Sequence, residues 1–409
     1  MKTWWFTENC YPHLPAADTY RSIRVDLPNI HCDPETASDL YNRYLDLWCA
    51  CEEIGLEIML NEHHQTATCI VPAAPILLGI LARQTQKARL LILGNPIPNR
   101  NQPVRVVEEM ALLDVISRGR VECGFVRSVP YEAAAANILP HRGTERLWEA
   151  HDLIVKAWTS HDGPFNFEGE WYHHRQVNIW PRPYQQPHPP IWITVGSAGT
   201  AAPVAEHKYV GAVFLAGYGK IRAVFDGYRE AYLAAHSAPP PLDRLAYLGL
   251  CYVGENEREA EQGARKLLWY MEANKVPEEW SNPPGYHPPS VSAMVMRGAA
   301  GTLVPTQPKL DQQMACGNVF AGTPDQVYEQ IKAFWEYSGG FGHMLIMGQA
   351  GFLSDQDALK SMRLYSNEVY PRLRQLTAEA DPGELWEKSK SAAVKDGVDL
   401  RMFGVEFVR

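Results

Sequence analysis

The stretch that decides the predicted fold is Glu57–Gln65, which has the sequence Glu-Ile-Met-Leu-Asn-Glu-His-His-Gln. Its apolar half ends at Leu60 and has the length of a short buried strand, and four polar or ionisable residues follow at once. Segments 40–54 and 72–87 predict a helix on each side of this strand. Such a unit is typical of parallel α/β folds, in which the carboxyl ends of the strands carry the chemistry.

The same alternation of strands and helices runs along most of the chain. Apolar segments that begin near residues 3, 57, 90, 121, 191, 210, 245 and 343 predict eight strands, nearly all followed by helices. Eight βα units predict an α/β fold of the (β/α)₈ TIM-barrel type, and a doubly wound parallel sheet is the alternative. The segment 163–183 is aromatic and punctuated by glycine and proline, which predicts a hairpin outside the barrel.

The predicted domain organisation is simple, with a single barrel domain over residues 1–376. Residues 276–318 lose periodicity and are rich in proline, which predicts an insertion after strand 7 that acts as a lid. Residues 377–409 are charged and form a predicted C-terminal tail beyond the eighth helix. We expect this tail to pack on a neighbour or on a second subunit.

Composition and charge disfavour several classes of function. The 409 residues are 46% hydrophobic and carry a net charge of −9, which does not favour nucleic acid or an anionic membrane surface as a partner. No apolar run reaches the ~18 residues of a transmembrane helix, and the first residues lack the apolar core of a signal peptide, so we expect a cytoplasmic protein. The eight cysteines show no CxxC spacing and predict free, mostly buried thiols.

The polar end of the strand that begins at residue 57 supplies candidate catalytic residues. By the two-residue period of a strand, Asn61 and His63 share one face, and Glu62 and His64 share the other. A histidine at a barrel mouth can act as a general acid or base near neutral pH, and a structural histidine bonded to the backbone is the alternative. A metal site is disfavoured, because adjacent histidines on a strand point apart and HExxH spacing is absent.

A candidate anion site follows the predicted strand near residue 191. The sequence Gly196-Ser197-Ala198-Gly199-Thr200 opens a helix and offers backbone N–H groups and two hydroxyls, which are typical of phosphate sites. Arg127, at the end of the preceding strand, and Arg142, at the start of the next helix, supply positive charge. Ordinary capping of the helix by a hydroxyl is the alternative.

Other strand ends add further candidates. Gly94-Asn95 ends the strand near residue 90, where a glycine allows a planar ligand to approach the backbone; a plain turn before Pro96 is the alternative. Strand-end and loop positions alone suggest four residues for a substrate pocket. These are Tyr11, His13, His64 and Gln349.

Taken together, these motifs resemble the bacterial luciferase-like family of flavin-dependent monooxygenases over roughly residues 1–376. Each motif is weak alone, and their order and spacing carry the resemblance. The matching features are the Asn-Glu-His-His strand end (61–64), the 103–120 segment with its Glu-Glu and Ser-Arg-Gly-Arg motifs, Gly-Phe-Val-Arg (124–127), Arg142 with Trp-Glu-Ala (148–150), Pro-Ile-Trp (190–192) with the 197–200 turn, and Gly-Thr-Pro-Asp-Gln-Val (322–327).

The resemblance implies that reduced FMN binds at the carboxyl face of the barrel. By position, His63 corresponds to the family's catalytic histidine, and we expect Glu62 or Asn61 to orient it. Arg127, Ser197 and Thr200 correspond to the phosphate anchors. Gly196 and Ala198 belong to the same turn, Arg142 is a weaker anchor, and Gly94-Asn95 corresponds to a strand-end bulge with a cis peptide under the flavin ring.

The implied activity is that of a two-component monooxygenase. Reduced FMN, made by a separate NAD(P)H-dependent flavin reductase, reacts with O₂ to give a flavin hydroperoxide that transfers oxygen to a small organic substrate. The resemblance also implies a homodimer. Two alternatives stay open, namely a deazaflavin-dependent dehydrogenase and a non-catalytic flavin-binding protein.

Overall fold

Eight parallel strands close on themselves into a barrel. The computed structural model describes residues 1–16, 19–293 and 308–391. The barrel strands are β1 (Lys2–Thr7), β2 (Glu57–Leu60), β3 (Leu90–Asn95), β4 (Val121–Phe125), β7 (Ile191–Thr194), β8 (Val210–Phe214), β9 (Leu245–Val253) and β11 (His343–Gln349). Each strand pairs with the next in this order, and β11 closes the ring against β1. The (β/α)₈ prediction is confirmed, and all eight predicted strands are present.

Helices cover the outside of the barrel. They are α1 (Pro34–Glu53), α2 (Ala74–Gln84), α3 (Val104–Ser117), α4 (Pro130–Ala135), α5 (Gly143–Thr159), α6 (Ala198–Glu206), α7 (Gly217–His236), α8 (Glu257–Leu267), α9 (Trp269–Ala273), α10 (Glu278–Ser281), α11 (Leu310–Cys316), α12 (Pro324–Tyr337), α13 (Asp355–Leu364), α14 (Tyr370–Ala378) and α15 (Pro382–Ser391). Their caps follow from the sequence: the Asp33 side chain accepts from the Thr36 N–H at the start of α1, and Pro34 begins that helix.

Three strands lie outside the barrel ring. β5 (Phe165–Glu168) and β6 (His173–Val177) form the predicted antiparallel hairpin. β10 (Val319–Gly322) has no counterpart among the sequence predictions, and it pairs in parallel with the last four residues of β9. The nine-residue β9 therefore belongs to the barrel through its first half and to an extra two-stranded ledge through its second half.

The insertion and the tail are described in part. The insertion contains α10 and α11, and residues 294–307 lie outside the described residues. In the tail, the buried Trp386 donates a 2.8 Å hydrogen bond to Asp226, and Arg222 donates one of 2.6 Å to the Ser389 carbonyl. Residues 382–391 thus pack on α7 of their own chain, and residues 392–409 lie outside the described residues.

Two properties of the whole chain bear on the composition-based expectations. All eight cysteines are free and six of them are buried, as predicted. Over the ranges that the structure covers, no helix has both the length and the apolar character needed to span a membrane.

The amino end of the barrel is closed by packed aromatic side chains. The Trp4 and Trp192 rings meet edge to face at 5.3 Å, and the Trp4 indole N–H donates a 3.0 Å hydrogen bond to His343 Nδ1. His343 Nε2 in turn donates to the Asp243 carbonyl at 3.1 Å. Burial, aided by the charge of Lys2, lowers the pKa of His343 to about 3, so this ring is neutral and both nitrogens are used.

Candidate active site

The polar residues after β2 lie at the carboxyl end of the barrel, where His63 meets a buried carboxylate. His63 Nδ1 lies 2.8 Å from Oε1 of Glu132, which comes from α4. The Glu132 side chain is 2% exposed and that of His63 is 21% exposed. The histidine therefore has one nitrogen fixed inside the protein, and the rest of its ring lies at a partly open position.

The Glu132 carboxylate is surrounded by donors. Besides His63, Oε1 accepts from the His64 backbone N–H at 3.1 Å and from the Tyr131 hydroxyl at 3.3 Å, and Oε2 accepts from Ser128 at 3.3 Å. Burial alone would raise the pKa of Glu132, but the hydrogen bond and charge of His63, together with the His64 N–H, bring this pKa below its usual value. Glu132 is therefore ionised at neutral pH.

Arg24 approaches the same edge of His63 as Glu132 does, and it joins several loops. Its Nε donates to the Tyr131 hydroxyl at 2.9 Å, one terminal nitrogen donates to Thr68 at 2.8 Å and to Asn274, and the other lies 3.4 Å from His63 Nδ1. Burial opposes its charge, but Tyr131 and Glu8 keep the pKa of Arg24 above its ordinary value. Arg24 therefore brings a buried positive charge to the histidine.

Glu62 does not orient His63, which corrects one of our expectations. Its buried carboxylate accepts from Arg100, from His64 Nε2 at 3.2 Å and from the Ala74 N–H at 3.1 Å. These contacts tie the end of β2 to the start of α2 and to the loop after β3. The side chain that bonds His63 is that of Glu132, which the sequence prediction did not include.

Asn61 points away from His63 toward the end of β1. Its Nδ2 donates a 2.7 Å hydrogen bond to Glu8, and its Oδ1 accepts from Cys69 at 3.5 Å. Beside Glu8, the amide of Asn9 is fully buried, and neither its oxygen nor its nitrogen has a hydrogen-bond partner within the described part of the chain. A buried amide without a partner lowers the stability of the fold by about 1–3 kcal/mol, and a polar partner at this end of the barrel would remove that cost.

The predicted strand-end bulge is present at the end of β3. The register with β4 shifts between Ile92 and Asn95, and the Leu93–Gly94 peptide bond is cis, as the resemblance predicted. A Cβ at Gly94 would lie 1.9 Å from Val126, so the glycine is required by packing against the next strand. Both polar atoms of the Asn95 side chain are buried without partners among the described residues.

The turn at 196–200 forms a regular helix cap. Ser197 Oγ accepts from the Thr200 N–H at 3.3 Å, and Thr200 Oγ1 accepts from the Ser197 N–H at 3.1 Å and from the Gly196 N–H at 3.2 Å. The whole turn, including Ala198, is exposed to solvent. The capping alternative is thus realised, and the α6 N-terminus still presents its positive dipole end to solvent.

The two predicted arginines differ in their surroundings. Arg127 follows β4, the strand that pairs with β7, the strand that precedes the 196–200 turn; it is exposed and makes no hydrogen bond or ion pair with other described residues. Arg142 is engaged, because it contacts Glu170 at 3.1 Å and stacks 5.3 Å from the Trp171 ring. Of these two arginines, Arg127 is the one whose guanidinium has no partner within the described ranges and is available to a ligand.

The four residues proposed for a substrate pocket occupy different environments. Tyr11 is buried, and its hydroxyl accepts from the Asp33 N–H at 3.0 Å, while His13 is exposed. Gln349 is fully buried, and its amide bonds the Gly351 N–H at 2.8 Å and the Leu353 carbonyl at 3.0 Å, which closes its own loop. His64 is bound between Glu62 and Glu132. The structure therefore does not bring these four side chains together.

Some site residues were missed for lack of a sequence signal, and others were overlooked. Glu8 and Asn9 follow an apolar strand directly, as Asn61 and Glu62 do, so the same pattern could have identified them. Glu132 and Arg24 reach His63 from 69 and 39 residues away along the chain, on a short helix and a loop, with no spacing that predicts the contact. Within the described ranges, no group of three or more His, Cys, Asp and Glu side chains has an arrangement suited to a metal ion.

Comparison with known proteins places this geometry in context. A model of the luciferase-like monooxygenase family matches residues 23–340. The chain is 28% identical over 228 residues to the uncharacterized protein y4wF of Sinorhizobium fredii, with 54% of this chain and 64% of that protein covered. It is 29% identical over 165 residues to the oxygenase component of flavin-dependent trigonelline monooxygenase of Acinetobacter baylyi, with 39% and 45% covered. The matches therefore span less than two thirds of the length of either relative.

A longer match and two solved structures add to these findings. Limonene 1,2-monooxygenase of Rhodococcus erythropolis is 25% identical over 323 residues, with 77% of this chain and 76% of that protein covered. The oxygenating constituent of 3,6-diketocamphane monooxygenase from Pseudomonas putida, in complex with FMN, superposes with a TM-score of 0.69 at 18% identity, covering 91% and 98%. An F420-dependent secondary alcohol dehydrogenase superposes with a TM-score of 0.63 at 15% identity, and the match covers 90% of this chain and 98% of that one. At such identities the structures show a shared fold alone.

Proposed function

The chain belongs to the luciferase-like monooxygenase family, and from this we propose that it is the oxygenase component of a two-component, FMN-dependent monooxygenase. In this proposal it takes reduced FMN and O₂ and inserts one oxygen atom into a small organic substrate. The observation that carries the proposal is the unpartnered, buried amide of Asn95, which lies at the end of β3 in the same rim as the His63–Glu132 pair. A buried amide in that state is an exception that calls for a polar partner, and a bound flavin would supply one.

The residues at the carboxyl end fit the parts of FMN. Arg127 offers a free guanidinium beside the exposed N-terminus of α6, and such a pair suits a phosphate. The hydroxyls of Ser197 and Thr200 already bond within their own turn, so the helix dipole and Arg127 would provide most of the phosphate binding. The Asn95 amide can donate to and accept from the polar edge of a flavin ring. Reduced FMN would supply the electrons that activate O₂.

The chain's own residues then control protons and water. His63 takes or gives a proton at Nε2, the nitrogen that is not bound to Glu132. The loop after β1 joins the segment that begins the insertion, through the Arg21–Glu279 ion pair and the bond from Ser22 to the Lys275 carbonyl, both at 2.5 Å. These contacts would cover the mouth and keep water from the reacting centre.

The proposal includes two protein partners and a cytoplasmic location. A separate NAD(P)H-dependent flavin reductase would deliver reduced FMN, in keeping with the printed name of the trigonelline relative as an oxygenase component. A second copy of the chain would form a homodimer over α2 and α3, which are neighbours on the barrel surface. The apolar side chains that these two helices expose are Ile76, Ile80, Leu112, Val115 and Ile116. Exposed apolar side chains on two neighbouring helices are typical of a protein interface.

The proposed function can be tested with the purified full chain. Reduced FMN, generated by an added flavin reductase, should bind more tightly than oxidised FMN. A panel of small cyclic ketones, terpenes and heteroaromatic acids under ¹⁸O₂ should then yield a product that carries one ¹⁸O atom. Reductase and FMN without the chain serve as the control.

Two results would overturn the proposal. Substrate oxidation that continues without O₂ when an oxidised deazaflavin, which accepts the hydride, replaces reduced FMN would establish the dehydrogenase alternative. Tight binding of FMN without oxygen transfer to any compound, in an assay in which His63→Ala retains the biological function of the chain, would establish the non-catalytic alternative.

A further inference from the structure

We infer that Glu132 is a positioning residue that holds the His63 imidazole in the tautomer with its proton on Nδ1, so that Nε2 offers its lone pair to the barrel mouth. The inference rests on the proposed function only for what that lone pair does. Nothing in the resemblance or in the comparisons assigns a role to Glu132.

The Glu132 carboxylate is charged and can only accept hydrogen bonds. It is 2% exposed and has donors on both oxygens, from His63, the His64 backbone, Tyr131 and Ser128. An ionised carboxylate has no proton to give. The short 2.8 Å contact therefore requires a proton on His63 Nδ1.

Glu132 and Arg24 compete for the same ring nitrogen, His63 Nδ1. A terminal nitrogen of Arg24 lies 3.4 Å from His63 Nδ1, and a hydrogen bond from it would need a lone pair there. Nδ1 cannot donate to Glu132 and accept from Arg24 at once. The contact with the carboxylate is shorter and charge-assisted, so it decides the tautomer, and Arg24 is a nearby charge rather than a donor to the ring.

The other ring nitrogen of His63, Nε2, is the one that a ligand can reach. His63 Nε2 has no hydrogen-bond partner among the residues that the structure covers, and the side chain is 21% exposed. In the neutral ring this nitrogen is an acceptor, since the proton is on Nδ1. A proton from an acidic group X–H moves to Nε2, leaving X⁻ and an imidazolium. The imidazolium keeps its Nδ1–H bond to Glu132, which offsets the new charge.

The exposed pair His173 and Glu168 provides a matched control. It joins a histidine Nδ1 to a glutamate oxygen at 3.3 Å, but both side chains are more than half exposed. Water competes for such a bond, so the pair fixes no tautomer. Glu168→Gln makes the same chemical change as Glu132→Gln at a place remote from the proposed chemistry.

The test is ¹⁵N NMR of the full chain labelled in its histidine rings, without flavin, at a pH where the rings are neutral. His63→Asn identifies the signal. We expect wild-type His63 to show a protonated Nδ1 and a pyridine-like Nε2. In Glu132→Ala the tautomer should mix toward Nε2–H, and in Glu132→Gln, whose amide oxygen can still accept, it should stay largely on Nδ1. Glu168→Gln should leave His63 unchanged.

Turnover provides the second measurement. Since a positioned general base contributes about 10²–10⁴-fold, Glu132→Ala should lose at least roughly tenfold in kcat, and Glu132→Gln should lose less. A wild-type spectrum with the proton on Nε2 overturns the inference without any variant, and so does a tautomer that is unchanged in a folded Glu132→Ala. Because the NMR needs no cofactor, a failure to bind reduced FMN would reject the proposed function and leave the tautomer result standing.

Discussion

His63 and His343 lie at opposite ends of the same barrel and are held in opposite ways. At the carboxyl end, His63 is partly exposed, meets a charged carboxylate through Nδ1, and has no protein partner at Nε2 within the described residues. At the amino end, His343 is buried, accepts at Nδ1 from the Trp4 indole and donates from Nε2 to a backbone carbonyl. One ring has a nitrogen left for a ligand, and the other has none.

The contrast shows how a histidine that is available to a ligand differs from a structural one. Burial alone does not decide it, because both rings contact buried groups. The deciding quantity is the number of ring nitrogens that have a hydrogen-bond partner within the protein. The two ends of the barrel differ in the same way in how many of their buried polar side chains have such a partner. At the amino end Trp4, Trp192 and His343 all have partners, whereas at the carboxyl end the amides of Asn9 and Asn95 have none among the residues that the structure describes.

The largest expected effect is on turnover at the carboxyl end. His63→Gln should reduce kcat by about 10²–10⁴-fold, because the proton acceptor is lost. The free energy of unfolding should also fall, by about 1–3 kcal/mol, because the buried Glu132 carboxylate loses a hydrogen-bond donor. Steady-state oxygenation and chemical denaturation measure the two quantities. A variant with a kcat within threefold of wild type would remove His63 from the chemistry.

The mirror experiment at the amino end should affect stability and spare turnover. His343→Ala removes a buried ring and leaves the Trp4 indole N–H without its acceptor, which should lower the free energy of unfolding by about 2–4 kcal/mol. The kcat of the folded protein should stay within twofold of wild type. Loss of activity with unchanged stability would mean that His343 contributes to turnover rather than to stability.

Cofactor binding should depend on neither histidine but on Arg127. Arg127→Ala should raise the Kd for reduced FMN by roughly 10- to 100-fold, because a hydrogen bond to a charged phosphate contributes about 1.5–3 kcal/mol. Anaerobic fluorescence titration gives the value. Arg175→Ala, which changes an exposed arginine paired with Glu168 on the hairpin, is the control and should bind as wild type does. Equal affinities in the two variants would place the phosphate elsewhere.

The smallest expected effect, taken per unit of pH, is the change in stability that comes from the titration of His343. Its pKa is about 3 in the fold and 6.5 in the unfolded chain, so between these values the unfolded chain binds the extra proton. The contribution of His343 to stability is therefore complete above pH 6.5 and declines toward pH 3, by at most about 1.4 kcal/mol per pH unit. Denaturation at a series of pH values should show a shallower acid slope in His343→Gln than in wild type. Identical slopes would mean that the ring is charged in the fold.

Most of the fold could be predicted from sequence because its signals are local. The eight apolar segments, each ending in polar or glycine-containing sequence, located all eight barrel strands, and the aromatic segment 163–183 located the hairpin. The missed strand, Val319–Gly322, is only four residues long and follows the proline-rich insertion. Its pairing with β9 depends on a contact across roughly 70 residues of chain, as its partners in the register show, and no local pattern encodes such a contact.

The site could be predicted only in part, because some of its contacts join residues that are far apart in the sequence. His63 was identified because it follows a buried strand, and Arg127 because it follows another. The orientation of His63 was assigned to Glu62 or Asn61, which are near in sequence, but those side chains bond Arg100 and Glu8 instead. The true partner, Glu132, comes from a different βα unit. The folded barrel brings such residues together, and the sequence order does not reveal it.

The ledge formed by β9 and β10 gives the rim two walls of different character. Around the ring β9 lies four strands from β3, so the ledge faces the Gly94 bulge across the mouth. Its four paired residues rise roughly 13 Å along the strand, and their backbone groups bond one another. The wall near His63 is made instead of loops joined by side chains such as Arg24. Because loops tolerate changes in their residues more readily than paired strands do, the loop wall is the more variable side of the mouth and the ledge is the more rigid side.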